Sequence, residues 1–426
     1  MRAGKTIVGV TAATVGLILA GGCQLIAGVK DTLPYPADGG TSGTGGQGGG
    51  GPSTTGGGGG ATICAPGSEI GCYSGPDGTK GVGICQEGKK TCRTDGSGYD
   101  ACVGEVKPKA ESCAAKEDEN CDGYDCVQWA ELFGDGADQQ ANAITVDTAG
   151  NIYVVGTFSG QIKTPTMTLT DAGSGDAFIL KVDASGTPVW AKSFGDSSTQ
   201  SVSAIALDST GSFVVGGWSD TSFSLGGPDV AAGLFVAKFT SDGQHVWSKG
   251  LGSSGCGSPS GRIAAISTTA GNDFILGGSF CGSIDVGDGP KMSAGSEDAF
   301  VAQVRGGDGS GAKLKGGWIR TYGDSKSQEI NDVVVDVTHS EILGIGDFSG
   351  TIVTGSKTLT SFDTSLDMFY VRLFPDGSDI WAASYGAAGI QVATDAVITK
   401  AGNLVIAGQF SDPFDIQGHT ITAPAF

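Results

Sequence analysis

The feature that most constrains this 426-residue chain is a motif, Trp-x-x-x-(aromatic or Leu)-Gly, that occurs five times at intervals of 57–71 residues. Short apolar segments recur in a fixed order between its copies, separated by Gly, Asn and Asp. Short β-branched segments joined by turn residues at a regular period are typical of a repeated antiparallel sheet. With 76 Gly and 14 Pro, the composition excludes a helical bundle or coiled coil. The five tryptophans are Trp129, Trp190, Trp247, Trp318 and Trp381.

Each unit is predicted to contain four strands, A to D, with the tryptophan on strand D. In the first complete unit we place strand A at 143–147, strand B at 151–156 and strand C at 176–182. Four-stranded sheets repeated in this way form the blades of a β-propeller. The sequence therefore predicts an all-β fold, with a β-propeller domain of about five four-stranded blades over residues 127–426.

These units resemble the bacterial β-propeller repeat known as SBBP. The resemblance extends over about 300 of the 426 residues. It implies the fold and says little about function. The family is often drawn with seven blades, whereas this chain supplies about five.

The two ends of the predicted propeller are incomplete. An isolated strand D at 127–133 precedes the first unit, and the last unit contains strand A at 393–398 and strand B at 403–408 but lacks most of strand C. The last blade is therefore either incomplete or closed by the N-terminal strand. Closure would remove the unpaired sheet edges that invite aggregation.

The N-terminus carries an export signal. Arg2 and Lys5 precede an apolar run at 7–19, which is too short to span a bilayer and has the length of a signal-peptide core. The following Leu-Ala-Gly-Gly-Cys resembles a bacterial lipobox, which implies a signal peptide at 1–22 and lipidation of Cys23. By that resemblance Gln24 favours the outer membrane. We expect an outer-membrane lipoprotein, at the cell surface or facing the periplasm; an ordinary secretory signal is the alternative.

Two segments separate the anchor from the repeats. Residues 23–63 are predicted to be a lipid anchor followed by a disordered, flexible linker, since 14 of the 23 residues at 39–61 are Gly. Residues 64–126 contain eight cysteines and few apolar residues, so disulfides must replace a core there. Pairing among eight cysteines is open. They are Cys64, Cys72, Cys85, Cys92, Cys102, Cys113, Cys121 and Cys126.

Two further cysteines lie in the repeats. Cys256 follows a strand D and Cys281 follows the next strand B, and alternation of antiparallel strands places both at one edge of the propeller. We predict a disulfide between them. Zinc is disfavoured because no CxxC pair occurs and the chain has only 3 His.

A calcium site is predicted in the cysteine-rich segment. Asp118, Asn120, Asp122 and Gly123 form the D-x-N-x-D-G start of a calcium loop, in which alternating oxygens converge on one ion. The bidentate Glu is replaced by Trp129, so a solvated acidic turn is the alternative. The segment also resembles a cysteine-rich region of Gram-negative surface lipoproteins that is described as metal-binding.

No catalytic residue is predicted. Asp147, Asp208 and Asp336 end strand A in three units, and Ser267 and Thr399 take that place in two others; we interpret them as side chains that close turns. The candidate ligand-binding residues are the aromatic residues that follow strand B. Their side chains either stack on a glycan or pack between blades. They are Phe158, Trp218, Phe280, Phe348 and Phe410.

The functional prediction combines these features. A net charge of −20 disfavours nucleic acid as a partner. We expect a cell-envelope lipoprotein, held to a membrane through Cys23, that presents a β-propeller as a non-enzymatic binding platform for a glycan or a protein. The alternatives are a glycoside-active propeller enzyme and a calcium-dependent structural component. Calcium is the candidate cofactor.

Overall fold

The computed structural model of the chain describes residues 24–29, 63–110, 117–121, 123, 131–253, 260–307, 317–355, 357–399 and 402–422. The chain divides into two compact units, residues 1–14 with 33–131 and residues 15–32 with 132–426. Regular structure in the described part consists of β-strands. No helix there is long and apolar enough to cross a membrane. The predicted signal peptide, Cys23 and most of the linker lie outside the described residues.

The strands are short and pair antiparallel. The chain begins with β1 (Gln24–Val29), and the first unit contains the hairpin β2 (Glu69–Cys72) and β3 (Gly88–Thr91). The first sheet of the second unit contains β4 (Gln139–Val146), β5 (Ile152–Phe158), β8 (Asp176–Val182) and β9 (Pro188–Phe194), with the hairpin β6 (Gln161–Lys163) and β7 (Thr168–Thr170) between its second and third strands. The second sheet contains β10 (Gln200–Leu207), β11 (Phe213–Ser219), β12 (Gly233–Phe239) and β13 (His245–Gly252).

Three more sheets follow. The third contains β14 (Gly261–Thr268), β15 (Phe274–Phe280), β18 (Asp298–Val304) and β19 (Trp318–Tyr322). The hairpin β16 (Ser283–Ile284) and β17 (Lys291–Met292) follows β15 in the chain but extends the second sheet by pairing with β13. The fourth contains β20 (Gln328–Asp336), β21 (Glu341–Phe348), β24 (Asp367–Leu373) and β25 (Asp379–Tyr385), with the hairpin β22 (Thr351–Val353) and β23 (Thr358–Thr360). The fifth contains β26 (Gln391–Ile398) and β27 (Leu404–Phe410), followed by β28 (Phe414–Ile416) and β29 (His419–Ile421).

Strand order within the first four sheets follows the chain, so that consecutive long strands are neighbours. This is the predicted order A to D. The fifth sheet differs, because β27 pairs with β1 in a register from Gln24 opposite Gln409 to Val29 opposite Leu404. Of the segment 127–133, predicted as a strand that can close the last sheet, residues 131–133 are described and are not in a strand; the rest lies outside the described residues, so its place stays a prediction.

The core consists of four apolar layers, each between consecutive sheets. Central strands are apolar on both faces, and all of β8 is buried. At the two ends of the series this covering weakens: Ile144 of β4 is 43% exposed and Val397 of β26 is 56% exposed, whereas Ile205 and Ala206 of β10 are buried. Closure of the series into a ring is not seen among the described strands, and it stays a prediction.

Each first strand carries a β-bulge at an equivalent position. In three sheets the bulge side chain donates a hydrogen bond to a carbonyl of the next first strand. Asn142 Nδ2 lies 2.8 Å from Val202 O, Ser203 Oγ 2.6 Å from Ile263 O, and Asn331 Nδ2 2.9 Å from Ala393 O. Since bulges redirect side chains out of the sheet, they fix the spacing of successive sheets.

At the opposite end of the first strands, turn residues close each β-hairpin. Asp147, Asp208 and Asp336 each accept backbone N–H groups from the following turn, which confirms their predicted role. Thr399 does the same for the N–H of Asn403. Ser267 does not, because it lies within β14; Thr269 closes that turn.

Lys238 links this end of the second sheet to the third. Its Nζ lies 2.8 Å from Asp208 Oδ2 and 2.6 Å from Gly306 O, and both side chains are buried. Burial alone would raise the pKa of Asp208, but hydrogen bonds from Lys238 and Thr210 hold that pKa below its ordinary value.

Replacing Lys238 with Met should therefore destabilise the second unit, because Asp208 would be left as a buried charge without its cation. Loss of one partner of a buried ion pair costs about 3 kcal/mol. Urea unfolding followed by tryptophan fluorescence measures this loss. Lys326→Met, at an exposed lysine, is the control and should change the unfolding midpoint little; equal effects from the two substitutions would refute the prediction.

Candidate functional site at the junction of the third and fourth sheets

The predicted ligand-binding aromatics lie at the ends of the second strands, but three of them are buried. Phe158, Phe280 and Phe348 are 1%, 0% and 0% exposed, and each ring packs edge-on against a Phe of the third strand. Packing is the role that the structure shows for them, and ligand binding by these rings stays a prediction. Trp218 and Phe410 are half-buried, and each packs against the edge of a core layer.

The tryptophans of the repeated motif lie on the fourth strands, where they contribute to the layers between sheets. Trp247 and Trp318 are buried, and Trp190 packs against the layer between the first two sheets. Trp381 differs, since it is 38% exposed. Trp129 lies outside the described residues.

The cysteine-rich segment contains three disulfides, which confirms the predicted disulfide-rich character. They join Cys64 to Cys92, Cys72 to Cys102 and Cys85 to Cys121. These six sulfurs are therefore not available as thiolate ligands for a metal. Cys113 and Cys126 lie outside the described residues. In the second unit Cys281 is disulfide-bonded; its partner lies outside the described residues, as does the predicted partner Cys256.

The predicted calcium loop is described in part. Gly123 N–H donates to Asp118 Oδ2 at 2.9 Å, which is a turn-closing contact, while Asp122 lies outside the described residues. Asn120 follows Glu119, whose carboxylate is buried and lies 3.7 Å from Lys109 Nζ. No group of three or more His, Cys, Asp or Glu side chains that could hold a metal occurs among the described residues. Calcium binding stays a prediction.

The second residue of each first strand lies directly opposite a residue near the end of the second strand, and we call these facing residues the rim pairs. Rim pairs of neighbouring sheets contact each other: Thr157 Oγ1 lies 2.6 Å from Ser201 Oγ, and Ser279 Oγ lies 3.4 Å from Glu329 Oε1. The rim pairs are Gln140–Thr157, Ser201–Trp218, Arg262–Ser279, Glu329–Asp347 and Val392–Gln409.

Charged side chains concentrate in the rim pairs of the third and fourth sheets. Arg262 forms an ion pair with Glu329, and its Nη2 lies 2.6 Å from Asn331 Oδ1. The amide of Asn331 in turn donates to Asp347 Oδ2 at 2.6 Å. Ser279 also donates to Glu297 Oε2 at 3.3 Å. We call this group the acidic junction; its members are Arg262, Ser279, Glu297, Glu329, Asn331 and Asp347.

Three carboxyl groups share one cation in the acidic junction. Burial, opposed by the hydrogen bond from Asn331 and assisted by the charge of Glu329, raises the pKa of Asp347 to about 6. Burial and the charge of Glu329 also raise the pKa of Glu297. The junction therefore combines a carboxyl group that holds a proton in mildly acidic solution with Glu329, which faces Arg262.

The pairing of Glu329 with Asp347 is unfavourable for the fold. Directly opposed residues of antiparallel strands have Cα atoms about 4.5–5.5 Å apart, and like charges at that separation destabilise a sheet. Other second strands place Thr157, Ser279 or Gln409 where Asp347 stands. A like-charge pair outside the repeat pattern marks a candidate functional site.

Trp218 extends the junction on its other side. It pairs with Ser201 in the rim pair of the second sheet, and the order of rim pairs leads us to expect Arg262 of the third sheet beside it. By the same register, Thr157 contacts Ser201 and Ser279 contacts Glu329. A half-buried indole near an arginine and hydrogen-bonding carboxylates is a combination suited to sugar recognition.

Sequence reasoning selected Trp218 but missed the acidic junction. Glu329 and Asp347 are 18 positions apart in the sequence, and Arg262 is further away; strand register and packing between sheets bring them together. Aligning the repeats with one another would have pointed to this site, because Asp347 stands where three other repeats have a small or neutral polar residue.

Comparison with known proteins supports the repeat and adds no ligand. A family model named SBBP, described as a beta-propeller repeat, matches residues 128–157. This segment includes β4 and most of β5, so the match supports an SBBP-type repeat there. No curated protein matches the chain.

Replacing Arg262 with Met should destabilise the protein by about 1 kcal/mol near pH 7, the upper range for a partly exposed ion pair. The loss arises because Glu329 and its acidic neighbours lose their shared cation. It should shrink near pH 4, where the carboxyl groups with raised pKa values are protonated, and in high salt, which screens the charges. Urea unfolding at both pH values measures it; a loss independent of pH and salt would show that Arg262 acts through packing alone.

Proposed function

We propose that this protein is a cell-envelope lipoprotein whose sheets form a β-propeller, and that it binds a glycan non-enzymatically at the acidic junction and Trp218. The observation that carries the proposal is the cluster of charged and amide side chains in the acidic junction, with the half-buried Trp218 in the preceding rim pair. Stacking of a sugar ring on an indole supplies apolar contact, while carboxylates, amide and guanidinium bind hydroxyl groups in fixed directions.

Export to an envelope compartment is supported by the disulfides. Three of them join cysteines of the first unit, and Cys281 is bonded in the second. Such bonds form and persist in oxidising compartments. Together with the lipobox-like sequence before Cys23, they support a lipid-anchored protein of the outer membrane, at the surface or facing the periplasm.

The propeller form of the second unit is supported by its repeated sheets and the matched repeat at 128–157. Five successive sheets pack through four apolar layers. We propose about five blades, with the last blade completed by a strand from outside its own sequence repeat. A rigid propeller would hold the rim pairs in one row and so present the acidic junction without rearrangement.

Glycan binding is tested with the full chain carrying Cys23→Ser, so that no lipid is attached. On a glycan array and then by calorimetry, the parent should bind a defined oligosaccharide, and Trp218→Ala should weaken that binding at least about tenfold, or 1.4 kcal/mol, because the stacking surface is lost. Trp381→Ala, at the exposed tryptophan of the fourth sheet, should bind like the parent.

Equal binding by parent and Trp218→Ala, with both folded by circular dichroism, would contradict the assignment of the site. A blank array from folded protein would reject a glycan and leave a protein as the partner. Repeating the array with calcium and with a chelator shows whether the Asp118 segment contributes to glycan binding.

A glycoside-active enzyme is the second candidate, favoured by the opposed carboxyl groups of Glu329 and Asp347. A proton-holding acid beside a carboxylate is the donor set of glycoside hydrolysis, and the raised pKa of Asp347 fits the acid. Analysis of the bound oligosaccharide after long incubation separates the two candidates. If the parent leaves the oligosaccharide intact, the result supports binding alone. If the parent shortens the oligosaccharide and Asp347→Asn does not, the result supports hydrolysis.

Lipidation is tested on the chain expressed with its own N-terminus in a bacterium. The wild type should incorporate labelled fatty acid and sediment with membranes, and Cys23→Ser should do neither, because the thiol that carries the lipid is gone. Cys281→Ser serves as a cysteine control and should still be labelled. A label that persists in Cys23→Ser would place the lipid elsewhere.

A further inference from the structure

Three of the four-stranded sheets begin their third strand with a buried aspartate. Asp176, Asp298 and Asp367 open β8, β18 and β24, and they are 3%, 3% and 2% exposed. The second sheet has Gly233 in this place, where a Cβ would collide with the carbonyl oxygen of Gly252. The aspartates belong to the repeat, and one of them, Asp298, directly follows Glu297 of the acidic junction.

Each of these carboxyl groups has one used and one unused oxygen. Their Oδ2 atoms accept a single backbone N–H, from Ala172 at 3.0 Å, Ala294 at 3.0 Å and Phe362 at 2.6 Å. Their Oδ1 atoms are buried and have no hydrogen-bond partner in the described part of the chain. A buried carboxylate oxygen without a donor is strongly disfavoured.

The surroundings of the unused oxygen offer an acceptor rather than a donor. Asp298 Oδ1 and Gln328 Oε1 both lie 2.6 Å from the point that a Cβ on Gly323 would occupy. The side-chain N–H groups of Gln328 are already donated to Asp324 Oδ1 at 3.0 Å and Ser349 O at 2.7 Å. Gln328 Oε1 accepts the N–H of Asp324 at 3.2 Å and keeps a second lone pair on the side of Gly323 and Asp298. Gln200 Oε1 likewise accepts the N–H of Asp196 at 3.0 Å and lies near Gly195 and Asp176.

Charges near the three aspartates are also negative. Asp324 acts on Asp298, Asp171 and Asp196 act on Asp176, and Asp363 acts on Asp367. No basic side chain contributes to these three sites within the described residues. Burial first, and then these neighbours, raise the pKa of all three groups, that of Asp298 to about 6.

We propose that Asp176, Asp298 and Asp367 are proton-binding sites of the folded protein. In the neutral acid, Oδ1 carries the hydrogen; at Asp176 and Asp298 it donates that hydrogen to the glutamine oxygen of the next sheet. The bond joins the third strand of one sheet to the first strand of its successor. Proton binding thereby strengthens the packing between sheets, and the fold is tighter in mildly acidic surroundings. This inference does not depend on the proposed glycan function.

The sign of the pH dependence follows from linkage. A carboxyl group with a raised pKa binds its proton more tightly in the folded than in the unfolded chain. Its stabilising effect is complete below the unfolded pKa of 3.8 and is lost as the pH rises through about 6. Above that range the folded protein retains a buried carboxylate without a donor.

The test compares Asp298→Asn with Asp288→Asn, at an exposed aspartate between β16 and β17, in the full chain carrying Cys23→Ser. An asparagine keeps the acceptor for Ala294 N–H and supplies an N–H to Gln328 Oε1 without a charge. Relative to the parent, Asp298→Asn should shift the unfolding equilibrium towards the folded state by about ten- to hundredfold near pH 7.5 and by less than about twofold near pH 4. The effect of Asp288→Asn should be small at both.

Destabilisation by Asp298→Asn near pH 7.5 would overturn the proposal, because it would show that the carboxylate is ionised and used. Calcium or sodium that stabilises the parent but not Asp298→Asn would also overturn it and identify a cation site instead. If Asp298→Asn fails to fold, carbon NMR of aspartate-labelled parent decides, with Asp176→Asn to assign one resonance. The resonance that Asp176→Asn removes supports the proposal if it titrates above the ordinary range of an aspartate, and refutes it if it is fully ionised at about pH 5. Other resonances with a raised pKa do not count, because the pKa of Asp347 is also raised.

Discussion

The structure of the second unit depends on sheets that are apolar on both faces. A strand such as β8 is buried along its whole length, so a single sheet of this kind cannot be stable in water and must be covered by a neighbour on each side. Each layer between sheets has its own cluster of buried side chains. The stability of one repeat is therefore tied to the repeats beside it, as in other repeat proteins.

Much of this architecture could be predicted from the sequence, because its determinants are local. Asp147 and Asp208 close turns within four residues, and the motif tryptophans mark the fourth strands. The short hairpins between second and third strands were missed, although the sequence Thr-Leu-Thr recurs in β7 and β23. The place of Ser267 was also wrong: the turn of the third sheet is closed by Thr269, two residues later.

The candidate site could be predicted in part. Trp218 stood out as one aromatic in a repeated position, but burial of Phe158, Phe280 and Phe348 depends on how closely the third strand approaches, which sequence spacing does not reveal. The contact of Arg262 with Glu329 requires the register of two sheets and their packing. Three-dimensional proximity of this kind is decided by tertiary structure, so a single sequence without homologues cannot supply it.

The bulge of the third sheet has a mechanical consequence. Ala264 occupies the position where Asn142, Ser203 and Asn331 hold the adjacent sheet through a side-chain hydrogen bond. Between the third and fourth sheets, the polar contacts at this end run instead from Arg262 to Glu329 and Asn331 and from Ser279 to Glu329. A molecule that binds the guanidinium of Arg262 would therefore weaken the contact between the third and fourth sheets. Ligand binding at the acidic junction and the local rigidity of the protein are coupled there.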